Sequence, residues 1–229
     1  MRSRGTLKTR IVCLFIPERI PWFATRLYDQ IADGAVKSYY SEVTKEIVAH
    51  ITSGRILDIG TGPGHLPIEI AKAAPEVEIV GVDLSKNMIE IARKNANAAG
   101  ISERARFFTG DGNRLDFSDN TYDMVISSGS LHAWKDPVRV INECYRVLKP
   151  GCEAWIFDPA RIFTPESQKV LDKELNWIDR LAYWWGEFSS KVTIPFTEEE
   201  VQEIIAATLF RHGTVEHTKW FKITLCKEK

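Results

Sequence analysis

A glycine-rich turn set between an apolar run and an amphipathic stretch places the strongest constraint on this chain. Ile56-Leu57-Asp58-Ile59 reads as a strand, and Gly60-Thr61-Gly62-Pro63-Gly64 as a tight turn. Leu66, Ile70 and Ala73/Ala74 then recur at helical spacing up to Pro75. Glycines at such a turn let the backbone bend sharply and approach a ligand, and the helix N-terminus is expected to offer free N–H groups. The same unit recurs downstream. Val77 to Val82 is a second strand, followed by a helix capped by Ser85 with Met88, Ile91, Ala92 and Ala99 on one face, stopped at Gly100. Arg106-Phe107-Phe108, Met124-Val125-Ile126 and Ala154-Trp155-Ile156-Phe157 are three further strands. Between the last two, Asp136-Pro137 caps a helix with Val140, Ile141, Cys144, Val147 and Leu148 inward. This alternation predicts an α/β domain with a mostly parallel, doubly wound sheet covered by helices on both faces.

Two segments interrupt the rhythm. Residues 1–34 read as an N-terminal helical extension, and residues 35–229 as the main domain. The stripe Val36, Tyr40, Val43, Ile47 leads into the first strand. Residues 160–195 read as a helical insert placed as a lid, with Leu171, Leu175, Ile178, Ala182 and Trp185 on its inner face. Thr197 and Glu200 then form a capping box with Phe196 and Val201 as its hydrophobic staple, and Thr214 to Cys226 alternates in strand fashion.

Length and composition narrow the functional classes. At 229 residues with 44% hydrophobic and 27% charged residues, the chain suits one sizeable globular domain. A formal charge of −1 argues against a broad basic surface for nucleic acid or anionic lipid. No apolar run approaches the ~20 residues that cross a bilayer. The basic N-terminus before Ile11 to Ile16 is too short and too soon interrupted by Pro17 for a secretory signal, so it reads as folded protein or a basic leader. The four scattered cysteines suggest neither a disulfide scaffold nor a zinc module, and a reducing cytoplasm is expected.

Three acidic positions gather at the strand ends. Asp58 precedes the glycine turn, Asp83 closes the second strand 23 residues after Gly60, and Asp111 is expected to end the third. Each alone reads as a turn or cap; together they describe a nucleoside site, Asp83 being spaced to accept from ribose hydroxyls. The glycines run Gly60-x-Gly62-x-Gly64, with His65 where a dinucleotide fold wants its third glycine. A carboxylate at Asp58 repels a pyrophosphate and suits a cationic ammonium or sulfonium.

These residues, with Gly81-Val82-Asp83-Leu84-Ser85, Gly110-Asp111-Gly112, Tyr122 to Ser127, Leu131-His132-Ala133-Trp134 and Val147 to Gly151, resemble the class I S-adenosylmethionine (SAM)-dependent methyltransferases. The likeness is to their small-molecule branch, which includes the quinone-biosynthesis enzymes, and it covers about residues 25 to 158. It implies a Rossmann-like seven-stranded sheet whose last strand, Trp220 to Cys226, is antiparallel. It also implies SAM as cofactor and S-adenosylhomocysteine (SAH) as product. Gly60, Thr61, Gly62 and Gly64 would hold the methionine part with Asp58 near its amino group. Asp83 would take the ribose, Leu84 and Met88 the adenine face, Asp111 the adenine amine, Gly110 and Gly112 the ring, and Ser127 would lie under the methionyl group. Motif three departs from the family pattern, with Cys152 where a second glycine is usual.

Methyl transfer from a sulfonium needs alignment more than a catalytic dyad. His132 is the candidate base; its other reading is a cap or packing residue before Asp136. His65, His212 and His217 read as surface residues. Tyr28, Tyr39, Tyr40, Trp134, Trp177 and Trp184 would enclose a small-molecule acceptor, although a tryptophan stripe at helical spacing is as a rule core. Without Asn/Asp-Pro-Pro-Tyr/Phe after the fourth strand or a Pro-Cys nucleophile, nucleic-acid acceptors are not expected; neither is a metal. Oligomeric state is left open. The competing readings are a non-catalytic SAM-binding regulatory or scaffolding subunit and an NAD(P) oxidoreductase.

Overall fold

A computed structural model describes residues 37–158, 196–217 and 221–229. The expected N-terminal extension 1–34 and the lid 160–195 lie outside these residues, as do Tyr28, Trp177 and Trp184. Helix α1 spans Lys37–His50, followed by β1 Ser53–Ile59, α2 His65–Ala73, β2 Glu76–Asp83, α3 Lys86–Ala98 and β3 Ala105–Thr109. Then come β4 Tyr122–Ser128, a short 3-10 helix Leu131–Ala133, α4 Pro137–Val147 and β5 Leu148–Asp158. After residue 195 the order continues with α5 Glu198–Ala206, β6 Thr214–His217 and β7 Phe221–Cys226.

The strands form one seven-stranded sheet in the order β3-β2-β1-β4-β5-β7-β6. The pairs among β1 to β5 are parallel, while β7 runs antiparallel to both β5 and β6. The chain moves outward from β1 through β2 to β3 and then returns to place β4 on β1's other side. The carboxyl ends of β1 and β4 are therefore a topological switch point, where connecting loops diverge and open a crevice.

Pleating divides the apolar residues between two cores. Ile56, Met124, Ile126, Trp155 and Phe157 pack with Val43 and Ile47 of α1, Leu66 and Ile70 of α2 and Ile89 of α3. Leu57, Val125, Ala154 and Ile156 face the other way, onto Val140, Ile141, Cys144 and Val147 of α4 and Val201 and Ile205 of α5. Helices thus cover both faces, as alternation in the sequence requires. Each fully buried aliphatic side chain contributes about 1.5–3 kcal/mol, so Ile56→Ala, which also leaves a cavity, costs about 2–5 kcal/mol.

Local signals set the helix starts. Ser85 Oγ accepts from the Met88 amide at 3.4 Å, Asp136 Oδ1 from the Arg139 amide at 3.0 Å, and Pro137 opens α4. Thr197 and Glu200 close the capping box in both directions, at 3.2 and 2.9 Å. Two boundaries differ from expectation. Leu148 is not the last residue of α4 but the first of β5, paired with Tyr122; Pro150 disfavours helix at the residue before it and draws the segment into the sheet. Strand β3 ends at Thr109, so Asp111 stands in the following turn and bridges to Arg114.

Candidate functional site at the carboxyl edge of the sheet

The glycine turn is held rigidly, and its amides are occupied. Gly60 and Thr61 N–H both donate to Val82 O, at 2.8 and 3.0 Å, and Gly64 N–H donates to Thr61 O at 3.0 Å. Gly62 N–H donates to Asp83 Oδ2 at 2.9 Å, while Pro63 has no N–H. The turn's own amides are thus all taken within the protein. A pyrophosphate would find no cradle of amides there. The glycines differ in purpose. A Cβ on Gly60 would lie 2.1 Å from Ser130 Oγ, and one on Gly64 would lie 2.9 Å from the Phe107 ring, so both are empty for packing. Gly62, at φ 53°, has nothing among the described residues within 4 Å of such a Cβ. It borders open space, where a ligand can approach the backbone.

Asp58 occupies a strand position on the same face as Ile56, where the pleat calls for an apolar residue. It is 2% exposed, and its Oδ1 has no hydrogen-bond partner among the described residues. Burial pushes its carboxyl up from 3.8 to about 7; the nearby Thr61 hydroxyl opposes the rise and the charge of Asp83 adds to it. Thr61 Oγ1 is itself buried and falls outside hydrogen-bond geometry.

Asp83 uses one carboxylate oxygen for the Gly62 amide and the other for the Ser85 amide, at 2.9 and 2.8 Å. It therefore ties the glycine turn to the start of α3. Asp111 Oδ1 accepts from the backbone and side chain of Asn113, at 2.9 and 2.8 Å, in an exposed turn. Gly110 N–H bonds Asp83 O at 3.0 Å, which brings this turn beside the second strand. Gly112 is tight against Ile59, 3.2 Å from a notional Cβ. Leu84 keeps partial exposure, but Met88 is 1% exposed and belongs to the interior.

The end of β4 forms the opposite wall. Ser127 is buried and donates to Ile59 O at 2.7 Å, fastening β4 beneath the glycine turn. Gly129, at φ 67°, reverses the chain, and Ser130 Oγ donates to Gly60 O at 3.2 Å. The Tyr39 hydroxyl of α1 bonds Ser128 Oγ at 2.9 Å, so this aromatic reaches the crevice. Tyr40 stacks on Tyr39 at 5.4 Å between ring centroids and leans on the first core. Trp134 instead packs against the opposite core. The expected aromatic set is thus split between the two faces. His65 opens α2, partly exposed.

A partner of His132 was missed in the sequence. Asp158, at the end of β5, lies 3.1 Å from His132 Nδ1 through both carboxylate oxygens and also accepts from the His132 amide at 3.2 Å. Burial alone would lower the imidazole pKa; the hydrogen bond and charge of Asp158 outweigh it and leave it raised. The signal was present. Asp158 directly follows Ala154 to Phe157, as Asp83 follows its strand, so the reasoning that marked Asp83 applied equally. Among the described residues no cluster of His, Cys, Asp or Glu suits a metal ion. A depression of about 270 Å³ lies apart from the crevice, between α3 and β3, where Arg93 already bonds Phe107 O.

Residues 56–151 match the family described as "Methyltransferase domain", and the sheet order, switch-point crevice and acidic strand ends are similar to those of class I SAM-dependent methyltransferases. The chain is similar to the ubiquinone/menaquinone biosynthesis C-methyltransferase UbiE of Dinoroseobacter shibae, 29% identical over 147 residues, 64% of this chain and 58% of that protein. It is similar to the demethylmenaquinone methyltransferase of Deinococcus radiodurans, 36% identical over 118 residues, 52% of this chain and 48% of that one. The chain thus spans about half the length of the curated relatives it matches. A crystal structure of a candidate SAM-dependent methyltransferase from Methanococcus maripaludis superposes with a TM-score of 0.76 at 27% identity, covering 93% of this chain and 98% of that one.

Proposed function

We propose that the protein moves a methyl group from SAM to a small-molecule acceptor by in-line displacement. The observation that carries this reading is Asp58: a buried carboxyl with an unpartnered oxygen, beside a turn whose amides are all occupied. That environment rewards an ammonium and penalises phosphate. SAM supplies an electrophilic methyl on a positively charged sulfur.

The chain's own residues bind and align. Asp58 pairs with the ammonium of the methionyl part and ionises fully as it does so. Gly60, Thr61, Gly62 and Gly64 form the wall against which that part lies, with Gly62 the point of closest backbone approach. Asp83 accepts from the ribose hydroxyls while its bonds to Gly62 and Ser85 keep it oriented. Leu84, Gly110, Asp111 and Gly112 surround the adenine, Met88 backs this wall from the interior, and Ser127 braces the strand below the methionyl group. Holding the acceptor close and aligned accounts for about 7–11 kcal/mol of a bimolecular barrier. Tyr39 stands on the acceptor side, with Tyr40 behind it, and His132 is the base for an acceptor that must lose a proton. Quinols head the acceptors to be tried, because the similar proteins are named for quinone biosynthesis. Among the described residues no helix is long and apolar enough to cross a membrane, and action on a small molecule in the cytoplasm fits the composition.

Calorimetry with SAH, followed by transfer of tritium from methyl-labelled SAM to a panel of quinols and to a cell extract, tests the reading. Binding with label transfer is expected. Tight SAH binding with no transfer to any acceptor would favour a non-catalytic SAM-binding subunit.

A further inference from the structure

We propose that Asp158 is a positioning residue that holds the His132 imidazole with its proton on Nδ1, so that Nε2 takes a proton from the methyl acceptor. This rests on the methyl transfer proposed above and deepens it by naming an acceptor class: a nucleophile that carries an acidic proton, such as a phenolic hydroxyl or a hydroxylated aromatic ring. A tertiary amine or a thioether has no such proton, and the pair would do nothing for it.

Three observations converge. Parallel pairing of β4 with β5 sets Ser128 opposite Phe157, so Asp158 ends its strand next to where the chain leaves β4. Gly129 N–H donates to Phe157 O at 2.8 Å, and the positive φ of Gly129 folds the 3-10 helix back toward that strand end. One carboxylate then grips His132 at two places, the backbone amide at 3.2 Å and ring Nδ1 at 3.1 Å from either oxygen. Capping a turn needs only the amide contact. The ring contact adds an orientation and a tautomer, because a carboxylate accepts but does not donate.

The location is also informative. The same segment is fastened to the glycine turn through Ser130 Oγ and Gly60 O, two residues from His132. The His132 side chain is 34% exposed, whereas that of Asp158 is 14% exposed. The imidazole is thus the more accessible member of the pair and the carboxylate the more buried one, the order a supported base requires. Among the described residues, Asp158 on β5 is the charged group that bears on this ring.

The step balances. The bond to the methyl carbon is formed by an oxygen lone pair of a phenolic acceptor or, on a hydroxylated ring, by the ring π pair pushed by the deprotonated oxygen. In the second case the ring C–H proton is then lost to water and the oxygen is reprotonated. The pair of the breaking carbon–sulfur bond stays on sulfur, giving the thioether of SAH. The acceptor's proton passes to His132 Nε2 and later to water. The imidazolium formed is stabilised by the Asp158 carboxylate.

The test uses the full chain, ¹⁵N-labelled at histidine, as wild type, Asp158→Asn and Asp158→Ala. NMR reads the tautomer and titration of His132 without any acceptor, and label transfer from SAM to a naphthohydroquinone reads the reaction. The wild type is expected to carry Nδ1–H, and Asp158→Asn to titrate at lower pH because the carboxylate charge is gone. In the same variant kcat should fall at least about tenfold, with the acid limb of its pH profile moved to lower pH and SAH affinity within about twofold. An Nε2–H tautomer in the wild type, or unchanged titration and kcat in Asp158→Asn, overturns the proposal. So does a loss of SAH binding and melting temperature that accounts for the whole fall in kcat, since that marks a purely structural clamp. Should the wild type transfer no label, the methyl-transfer reading fails for this acceptor, and the ring titration still decides what Asp158 does.

Discussion

Replacing Asp58 with Asn isolates the cost of the buried carboxyl. In the unfolded chain an Asp ionises near 3.8, whereas in the folded protein it holds its proton to about 7. Between those values the folded state binds more protons than the unfolded one, so stability from this group falls as pH rises from about 4 to 7 and stays at its minimum above. A difference of about 3 pH units corresponds to roughly 4 kcal/mol at 1.36 kcal/mol per unit. Asn keeps the shape and has no such titration. Asp58→Asn is therefore expected to match the wild type near pH 4 and to exceed it at pH 8, by at most about 4 kcal/mol, or on the order of 10 °C in melting temperature for a domain of this size. Ligand response should move the opposite way. SAH brings an ammonium, so wild-type affinity should rise with pH through about 7, with proton release on binding below that pH; the variant should bind at least about tenfold more weakly, without this dependence. Thermal melts across pH, and calorimetry in buffers of different ionisation enthalpy, measure both. A variant less stable than wild type at pH 8, or one binding SAH equally well at all pH values, would refute the reasoning.

The two neighbouring glycines should fail in different ways. Gly64→Ala drives a Cβ against Phe107 at positive φ and should lower the melting temperature markedly, by about 2–4 kcal/mol. Gly62→Ala meets no atom of the described residues, so it should cost only the ~1–2 kcal/mol of its left-handed backbone while reducing SAH affinity at least about tenfold; denaturant melts paired with calorimetry separate the two. Thr197→Ala removes one half of the capping box and should cost about 1 kcal/mol in denaturant unfolding, leaving SAH affinity unchanged.

Features that depend on a few consecutive residues were readable directly. The Gly60 to Gly64 turn, Ser85, Asp136-Pro137 and the Thr197 and Glu200 box each carry their own geometry, and the alternation of apolar runs with amphipathic stretches is enough to imply a parallel sheet covered on both faces. What depends on strands meeting was less accessible. His132 and Asp158 are 26 residues apart and touch only because β4 and β5 pair in one register. The glycine spacing could not show that the turn's own amides are spent on Val82, Asp83 and Thr61, partners from the next strand or within the turn. Nor could spacing show that Gly60 and Gly64 are empty for Ser130 and Phe107 while Gly62 alone of the three borders open space. Leu148 continued the helical stripe by period, and only Pro150 hinted that it belongs to the next strand.

The central claim is that this rim is shaped for an adenosyl group carrying a cationic amino acid and not for linked phosphates. Competition calorimetry on the purified chain, titrating SAH and NAD⁺ in turn and then each against the other, tests it most directly. SAH is expected to bind and to resist displacement by NAD⁺, with affinity at least about tenfold weaker in Asp58→Asn and in Asp83→Ala. Preferential binding of NAD⁺, or SAH binding indifferent to both substitutions, would contradict it.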